Sequence, residues 1–423
     1  MQPLTRLARL VAVTALMVVT TGVGPRASAN AVTQWNAIAS TVIVSYALRP
    51  PSAALVDMAY VQAAVYDAVN AIDGRYSVYA AQPTTVAAGG SPDAAVASAA
   101  YTVLLVLYPG LSAAQKASLD AEYASALAAI PDGSAKTIGI AVGSEVATAF
   151  MASRAGDGRN ANVPYTFQSG PGQYQRTPPA FANPLTPWVA KLRPFAMSDP
   201  SQFRADPPPA LLSDEWADDY NETKAFGALV GSARTQEQTD IGLFYQEHPA
   251  AQLFRNVRLF ASGQALTVAD AARLFAQVQI GAADALIACW DSKYYYNFWR
   301  PVTAIRAGDT DGNPATDPDP SWLPLVPTPS HPEYPAAHGC VTTAFADTIA
   351  DFMGTKDVTI TLTSLTSPNR PAHTFFRTDD LIHEIIDARI YGGMHFRTSC
   401  ERGVVIGRKV AHWVSKHYFQ PVE

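Results

Sequence analysis

The sequence is short of features that mark several common functions. Cys289, Cys340 and Cys400 are the only cysteines in 423 residues, so a disulfide scaffold is excluded and at most one bridge can form within the chain. There is no Cys-x-x-Cys-His haem attachment sequence and no glycine-rich nucleotide fingerprint. Beyond the first 29 residues no stretch approaches the ~20 apolar residues that a membrane span requires. Strand-type alternation is scarce, and no internal repeat or long low-complexity tract occurs. Positive charge is in deficit as well, with 30 Lys and Arg against 36 Asp and Glu. Such a chain is repelled by nucleic acid and by anionic membranes.

Met1 to Ala29 reads as a secretory signal: Arg6 and Arg9, the apolar run Leu10 to Val19, then Ala27-Ser-Ala29. Cleavage after Ala29 gives a secreted chain with 27 basic and 36 acidic residues, a formal charge of −9. Any cluster of cations is then a local exception to the field of the whole chain, as an anion site requires.

Helical periodicity dominates the remainder. Leu55, Met58, Val61, Val65, Val69 and Ile72 recur in steps of three and four, which predicts a helix over 53–72. Ser91-Pro92 starts the next, to about Tyr108, and Ser112 and Ser134 look like caps for two more. Residues 157–211 hold 11 of the 32 prolines, which predicts extended chain that wraps or links. Further helices are predicted over 214–229, 236–246, 268–290, 337–353, 378–391 and 399–417. The fold class is therefore all-α, in two helical bundles. Residues 30–211 supply the N-terminal bundle and its Pro-rich wrap, and residues 212–423 the C-terminal bundle.

The chemistry concentrates in three stretches of the second bundle: Lys293-Tyr-Tyr-Tyr-Asn-Phe-Trp-Arg300-Pro301, Pro335-Ala-Ala-His338 and Arg389-Ile-Tyr-Gly-Gly-Met-His395. Together they supply one Lys, two Arg and two His with no carboxylate among them. That collection suits a tetrahedral oxyanion, since Lys offers a point charge and Arg a rigid fork of donors. His338 falls in the first turn of a helix, where free N–H groups and the helix dipole favour an anion. Gly392 and Gly393 permit a turn that aims His395 inward, and Thr398-Ser399 can cap the last helix.

In order and spacing these stretches resemble the superfamily that joins vanadium-dependent haloperoxidases to type-2 phosphatidic acid phosphatases and bacterial class A acid phosphatases. Trp290-Asp-Ser-Lys293 and Pro329-Ser-His-Pro-Glu-Tyr-Pro335 also look like the bacterial haloperoxidase branch. The resemblance covers the last third of the chain. It implies a vanadium chloroperoxidase-like fold with the active site in the C-terminal bundle, and vanadate as cofactor on the Nε2 of His395. Lys293, Arg300 and Arg389 would neutralise its oxygens, with backbone N–H groups at Ala337 and His338. His338 would assist deprotonation of hydrogen peroxide and Lys293 would polarise it. Halide would leave as hypohalous acid and halogenate an organic acceptor. Trp290 and His331 would line the halide side, and His331 at that position hints at bromide or iodide.

Two departures from the family pattern carry weight. Ala336 and Ala337 stand where the family usually has Ser-Gly, which removes a hydroxyl donor and adds a methyl. Ala388 and Ser399 stand where the phosphatase branch usually has Ser and Asp, leaving His395 without a local carboxylate partner. Two alternatives stay open: a secreted acid phosphatase with His395 as nucleophile and His338 as general acid, or a non-catalytic oxyanion binder. Glu333 reads equally as a partner near the site or as helix-start electrostatics. The loop from Asp309 to Pro320 has a calcium flavour but fails the EF-hand pattern, and reads as solvated. The three cysteines read as a Cys340–Cys400 bridge or as small buried thiols.

Overall fold

A computed structural model describes residues 30–367 and 369–422; the expected signal sequence lies outside these residues. Thirteen α-helices, two short 3-10 helices (Pro187–Lys191 and Gly308–Thr310) and one two-stranded sheet make up the regular structure among the described residues. The N-terminal half contains α1 (Ala31–Ser40, continuing as a π-helical turn over Thr41–Tyr46), α2 (Pro51–Asp73), α3 (Pro92–Leu107), α4 (Ala113–Ala128) and α5 (Ser134–Ser153). The C-terminal half contains α6 (Asp214–Gly227), α7 (Gln236–Phe244), α8 (Pro249–Ser262), α9 (Val268–Tyr296) and α10 (Pro301–Arg306). Then follow α11 (Ala337–Met353), β1 (Ile360–Thr363), β2 (Ala372–Phe375), α12 (Thr378–Tyr391) and α13 (Arg397–His417).

The all-α reading holds. The caps at Ser91 and Ser112 form, with Ser112 and Gln115 making a reciprocal capping box. Ser134 is instead the first helical residue, behind an uncapped Gly133. Four elements were not anticipated: α1, α8, α10 and the antiparallel β1–β2 pair, in which Ile360 faces Phe375. No helix among the described residues is long and apolar enough to cross a membrane.

The axis of the molecule is α9, whose residues from Ala269 to Lys293 are nearly all buried. It packs on α2 from the first half and on α11 and α13 from the second, so one apolar core runs through both halves. Small side chains make this close packing possible. A methyl added at Gly339 of α11 would come within 2.6 Å of the Cys400 carbonyl of α13.

The Pro-rich segment cannot satisfy its N–H groups in a helix, and buried carboxylates accept them instead. Asp284 of α9 accepts from Phe195, Ala196 and Met197 N at 2.7–2.8 Å. Asp57 of α2 anchors the start of the segment through the side chain of Arg159, at 2.6 Å. The 309–320 loop is likewise folded on a buried side chain rather than simply solvated. Asp311 accepts from Trp216 Nε1 and Asn313 N at 2.8 Å, and from Thr316 Oγ1.

Candidate active site

Each of the three stretches sits where one element ends and another begins. The last turn of α9 carries Lys293; this helix runs six residues past its predicted end and stops at Asn297, in the left-handed region at φ 54°. Arg300 then precedes α10. Ala337 and His338 open α11, and Arg389 lies in the last turn of α12. Gly393, at φ 74°, turns the chain so that His395 leads into α13. A side chain at Gly393 would strike the backbone of Gly227, which fixes this turn against α6.

The structure brings Lys293, Arg300, His331, Glu333 and His395 into one buried network. Arg300 is fully buried and donates Nη1 to the Met394 carbonyl at 2.8 Å and to His395 Nε2 at 3.2 Å. Its Nη2 reaches His331 Nδ1 at 3.0 Å. A guanidinium has only donors, so His395 Nε2 is an acceptor; His331 Nδ1 also lies 3.1 Å from the Pro332 carbonyl, to which it can donate instead. His395 must then carry its proton on Nδ1, which donates to Glu333 Oε1 at 2.7 Å. Phe396 N donates to the same oxygen at 3.2 Å. The result is an imidazole with a fixed tautomer and its Nε2 lone pair turned to the cations, the arrangement in which a histidine ligand is held by a carboxylate behind it.

Glu333 thus supplies the orienting partner that the missing Asp at 399 left in doubt. Residues 333 and 395 lie 62 apart in sequence, so no local spacing marks the pair. The expected Thr398-Ser399 cap does not form: α13 begins at Arg397, and Thr398 N donates to Asp219 of α6 at 3.0 Å.

Lys293 is less mobile than its sequence role suggests. It is fully buried, and Nζ donates to the carbonyls of Pro332 at 2.9 Å and Glu333 at 2.6 Å. One proton is left for an anion. Lys293 and Arg300 stand behind the cavity, whereas Trp290, His331, Ala337, His338, Arg389 and His395 line it. Trp290 and His331 are in ring contact, with centroids 4.8 Å apart. Ala336, in contrast, is buried away from the cavity lining. Its N–H donates to the Ser399 carbonyl at 3.0 Å, which ties the start of α11 to the first turn of α13.

Burial governs the protonation of this network. It pushes His395, His331 and His338 well below the ordinary imidazole range, with nearby Arg and Lys side chains acting in the same direction. It also lowers Lys293 to about 8 and Arg389 to about 10. Glu333 is pushed up to about 7 by burial, against the pull of Lys293 and Arg300. All three imidazoles are therefore neutral at neutral pH.

Several buried polar atoms have no partner among the described residues: Arg389 Nε and Nη1, His338 Nε2 and Trp290 Nε1. The remaining Arg389 nitrogen, Nη2, is against Met394 Sδ. An unpaired buried guanidinium is costly, and a bound anion would satisfy it. These residues fit an oxyanion such as vanadate. The three cysteines are free and buried, so the Cys340–Cys400 bridge is not formed.

Comparison with known proteins bears on the fold that carries this geometry. Residues 273–423 match the family described as the VCPO second helical-bundle domain. Vanadium chloroperoxidase of Curvularia inaequalis is 26% identical over 185 residues, a match that spans 36% of this chain and 30% of that protein. A bacterial vanadium-dependent iodoperoxidase shares the fold with a TM-score of 0.77, at 22% identity, over 93% of this chain and 98% of its own. The holo form of a bacterial vanadium-dependent chloroperoxidase follows at 0.67, with 17% identity over 88% and 93% of the two chains. The fold is thus that of the bacterial vanadium haloperoxidases, as the three stretches implied.

Proposed function

We propose that this chain is a secreted vanadate-dependent haloperoxidase that uses hydrogen peroxide to oxidise halide, with bromide and iodide favoured, to hypohalous acid. The observation that carries the reading is His395, held by Glu333 in one tautomer with Nε2 facing a set of buried cations. His395 Nε2 would hold the vanadate, and Arg389, Arg300 and the free proton of Lys293 would neutralise it. Bound there, vanadate supplies a Lewis acid that activates peroxide. His338 Nε2 is free to take a proton from incoming peroxide, and a nearby anion raises its basicity for that task. The halide contributes an electron pair to one peroxide oxygen, the O–O bond breaks, and the other oxygen leaves as water. The balance is peroxide, halide and one proton to hypohalous acid and water. His331 and Trp290 stand at the cavity wall on which a halide would approach.

The Glu333–His395 pair also favours a second reading, acid phosphatase. A carboxylate behind His395 is what a phosphoryl nucleophile needs, so the absence of Asp at 399 does not separate the two activities. One experiment does. Purified protein is given peroxide, bromide and a diketone acceptor, before and after orthovanadate, and separately p-nitrophenyl phosphate without vanadate. Vanadate-dependent bromination with negligible phosphate ester hydrolysis is the expected result. Hydrolysis without bromination would establish the phosphatase, and neither activity would leave an oxyanion binder.

A further inference from the structure

The cavity that meets His338 and Arg389 has a volume of about 350 Å³. A water molecule occupies ~30 Å³ of liquid, so the space far exceeds the needs of peroxide and a halide ion. It falls in the range of pockets that bind small organic molecules. Its walls come from several elements: Leu55 of α2, Leu253 of α8, Leu286 of α9, Val341 and Phe345 of α11, and Leu362 of β1.

Polarity is segregated within this chamber. Most polar side chains of its far wall are already committed to protein partners, Gln246 and Thr342 being the exceptions. Glu247 is paired with Arg255 at 2.5 and 2.7 Å, and Gln252 Nε2 donates to the Phe244 carbonyl at 3.1 Å. Asn256 Oδ1 accepts from Thr363 N at 2.9 Å. The buried polar atoms of the chamber without a partner among the described residues are His338 Nε2, Arg389 Nε and Nη1, and Trp290 Nε1, all in the oxyanion site. Neither Gln246 nor Thr342 carries a charge, so a charged or highly hydroxylated molecule would find too few partners along the apolar part, and desolvating its polar groups there would be unfavourable.

We propose that this chamber binds an uncharged, apolar organic acceptor with an electron-rich carbon, such as an alkylphenol, and presents that carbon to the oxyanion site for halogenation. The proposal rests on the haloperoxidase reading for its chemistry, but not for the binding itself. In the transfer step the ring carbon donates its electron pair to the halogen of hypohalous acid. The halogen–oxygen bond breaks, hydroxide leaves, and the proton lost from the carbon converts it to water. The acceptor is oxidised and the halogen returns to the halide level in its new bond to carbon.

The test uses 4-butylphenol and its charged analogue 4-hydroxybenzenesulfonate. Titration calorimetry on protein without vanadate is expected to show saturable binding of butylphenol and at least tenfold weaker binding of the sulfonate. Leu253→Trp, and independently Val341→Phe, should weaken butylphenol at least tenfold, with far-UV circular dichroism verifying that each variant folds. With vanadate, the enzyme should brominate butylphenol over the sulfonate at least tenfold more selectively than free hypobromite does. Triiodide formation from iodide, which needs no organic acceptor, reports the oxyanion site alone. Triiodide formation together with no saturable phenol binding, or with the selectivity of free hypobromite, would overturn the proposal. Phenol binding that both variants weaken, without any triiodide, would remove the haloperoxidase reading and leave the apolar site standing.

Discussion

Replacing Arg389 by Met should make the protein more stable and blind to oxyanions at the same time. Arg389 is 2% exposed, and two of its three nitrogens have no partner among the described residues. Burial lowers it to about 10 from an ordinary value near ~12.5, which corresponds to about 3 kcal/mol held against the charged form. A base with a depressed pKa loses stability as pH falls through its folded value, so this penalty is complete at pH 7. Methionine keeps an apolar stem of similar reach beside Met394 and removes the charge. After some loss of packing, the net gain is about 1–3 kcal/mol. A kcal/mol moves the melting temperature of a 150–250-residue domain by roughly 2–4 °C, and a longer chain by less, so a rise of about 2–5 °C is expected. Wild type should instead gain stability when orthovanadate is added, by about 2.7 kcal/mol at a hundred times its Kd. Differential scanning calorimetry with and without orthovanadate checks both effects. A lower melting temperature in Arg389→Met, or an undiminished response to orthovanadate, would refute the assignment of Arg389 as an anion ligand kept at a cost in stability.

Further expectations concern the groups around Arg300. Glu333→Gln should weaken orthovanadate binding by roughly tenfold or more, as loss of a carboxylate behind a histidine ligand commonly does; unchanged affinity in calorimetric titration would show that His395 needs no such partner. The raised pKa of Glu333 means that its stability contribution is present below the ordinary carboxyl range and lost as pH rises through about 7. Glu333→Gln should therefore gain in melting temperature relative to wild type at pH 8, and not at pH 4.5. The depressed His331, His338 and His395 act in the opposite sense: they stabilise above ~6.5 and lose that contribution as pH falls through their lower folded values. His331→Phe should flatten the acid side of the melting profile and shift the ratio of bromide to iodide turnover, which steady-state rates with each halide measure.

Much of the helical frame was legible because caps and periodicity are local. The ranges 337–353 and 378–391 agree at both ends with α11 and α12, with Pro335 and Gly354 flanking the first and Gly392 directly behind the second. The first helix of the pair delivers His338 and the second Arg389, so half the candidate site follows from local signals. The missed elements had weaker marks. The start of α8 is signalled by His248-Pro249, with His248 Nδ1 accepting from Ala251 N, a cap outside the usual Ser, Thr, Asp and Asn. Strand β1 is four residues long and gains its stability from β2 and α8 rather than from its own alternation. What the sequence does not reveal is how each charge is used. The carbonyls that hold Lys293 and the carboxylate that orients His395 both come from the 332–333 turn, and tertiary packing alone brings that turn to α9 and α13. The apolar chamber is similarly non-local, since its walls are gathered from both halves of the chain.

The most direct test of the central claim is triiodide formation from iodide and peroxide, measured on wild type and His395→Ala over a range of orthovanadate concentrations. Turnover that saturates with vanadate in wild type and is lost in His395→Ala, with His395→Ala also losing vanadate binding by calorimetry, is the predicted result. Equal vanadate-dependent turnover in the two proteins, or none in wild type at saturating vanadate, would contradict it.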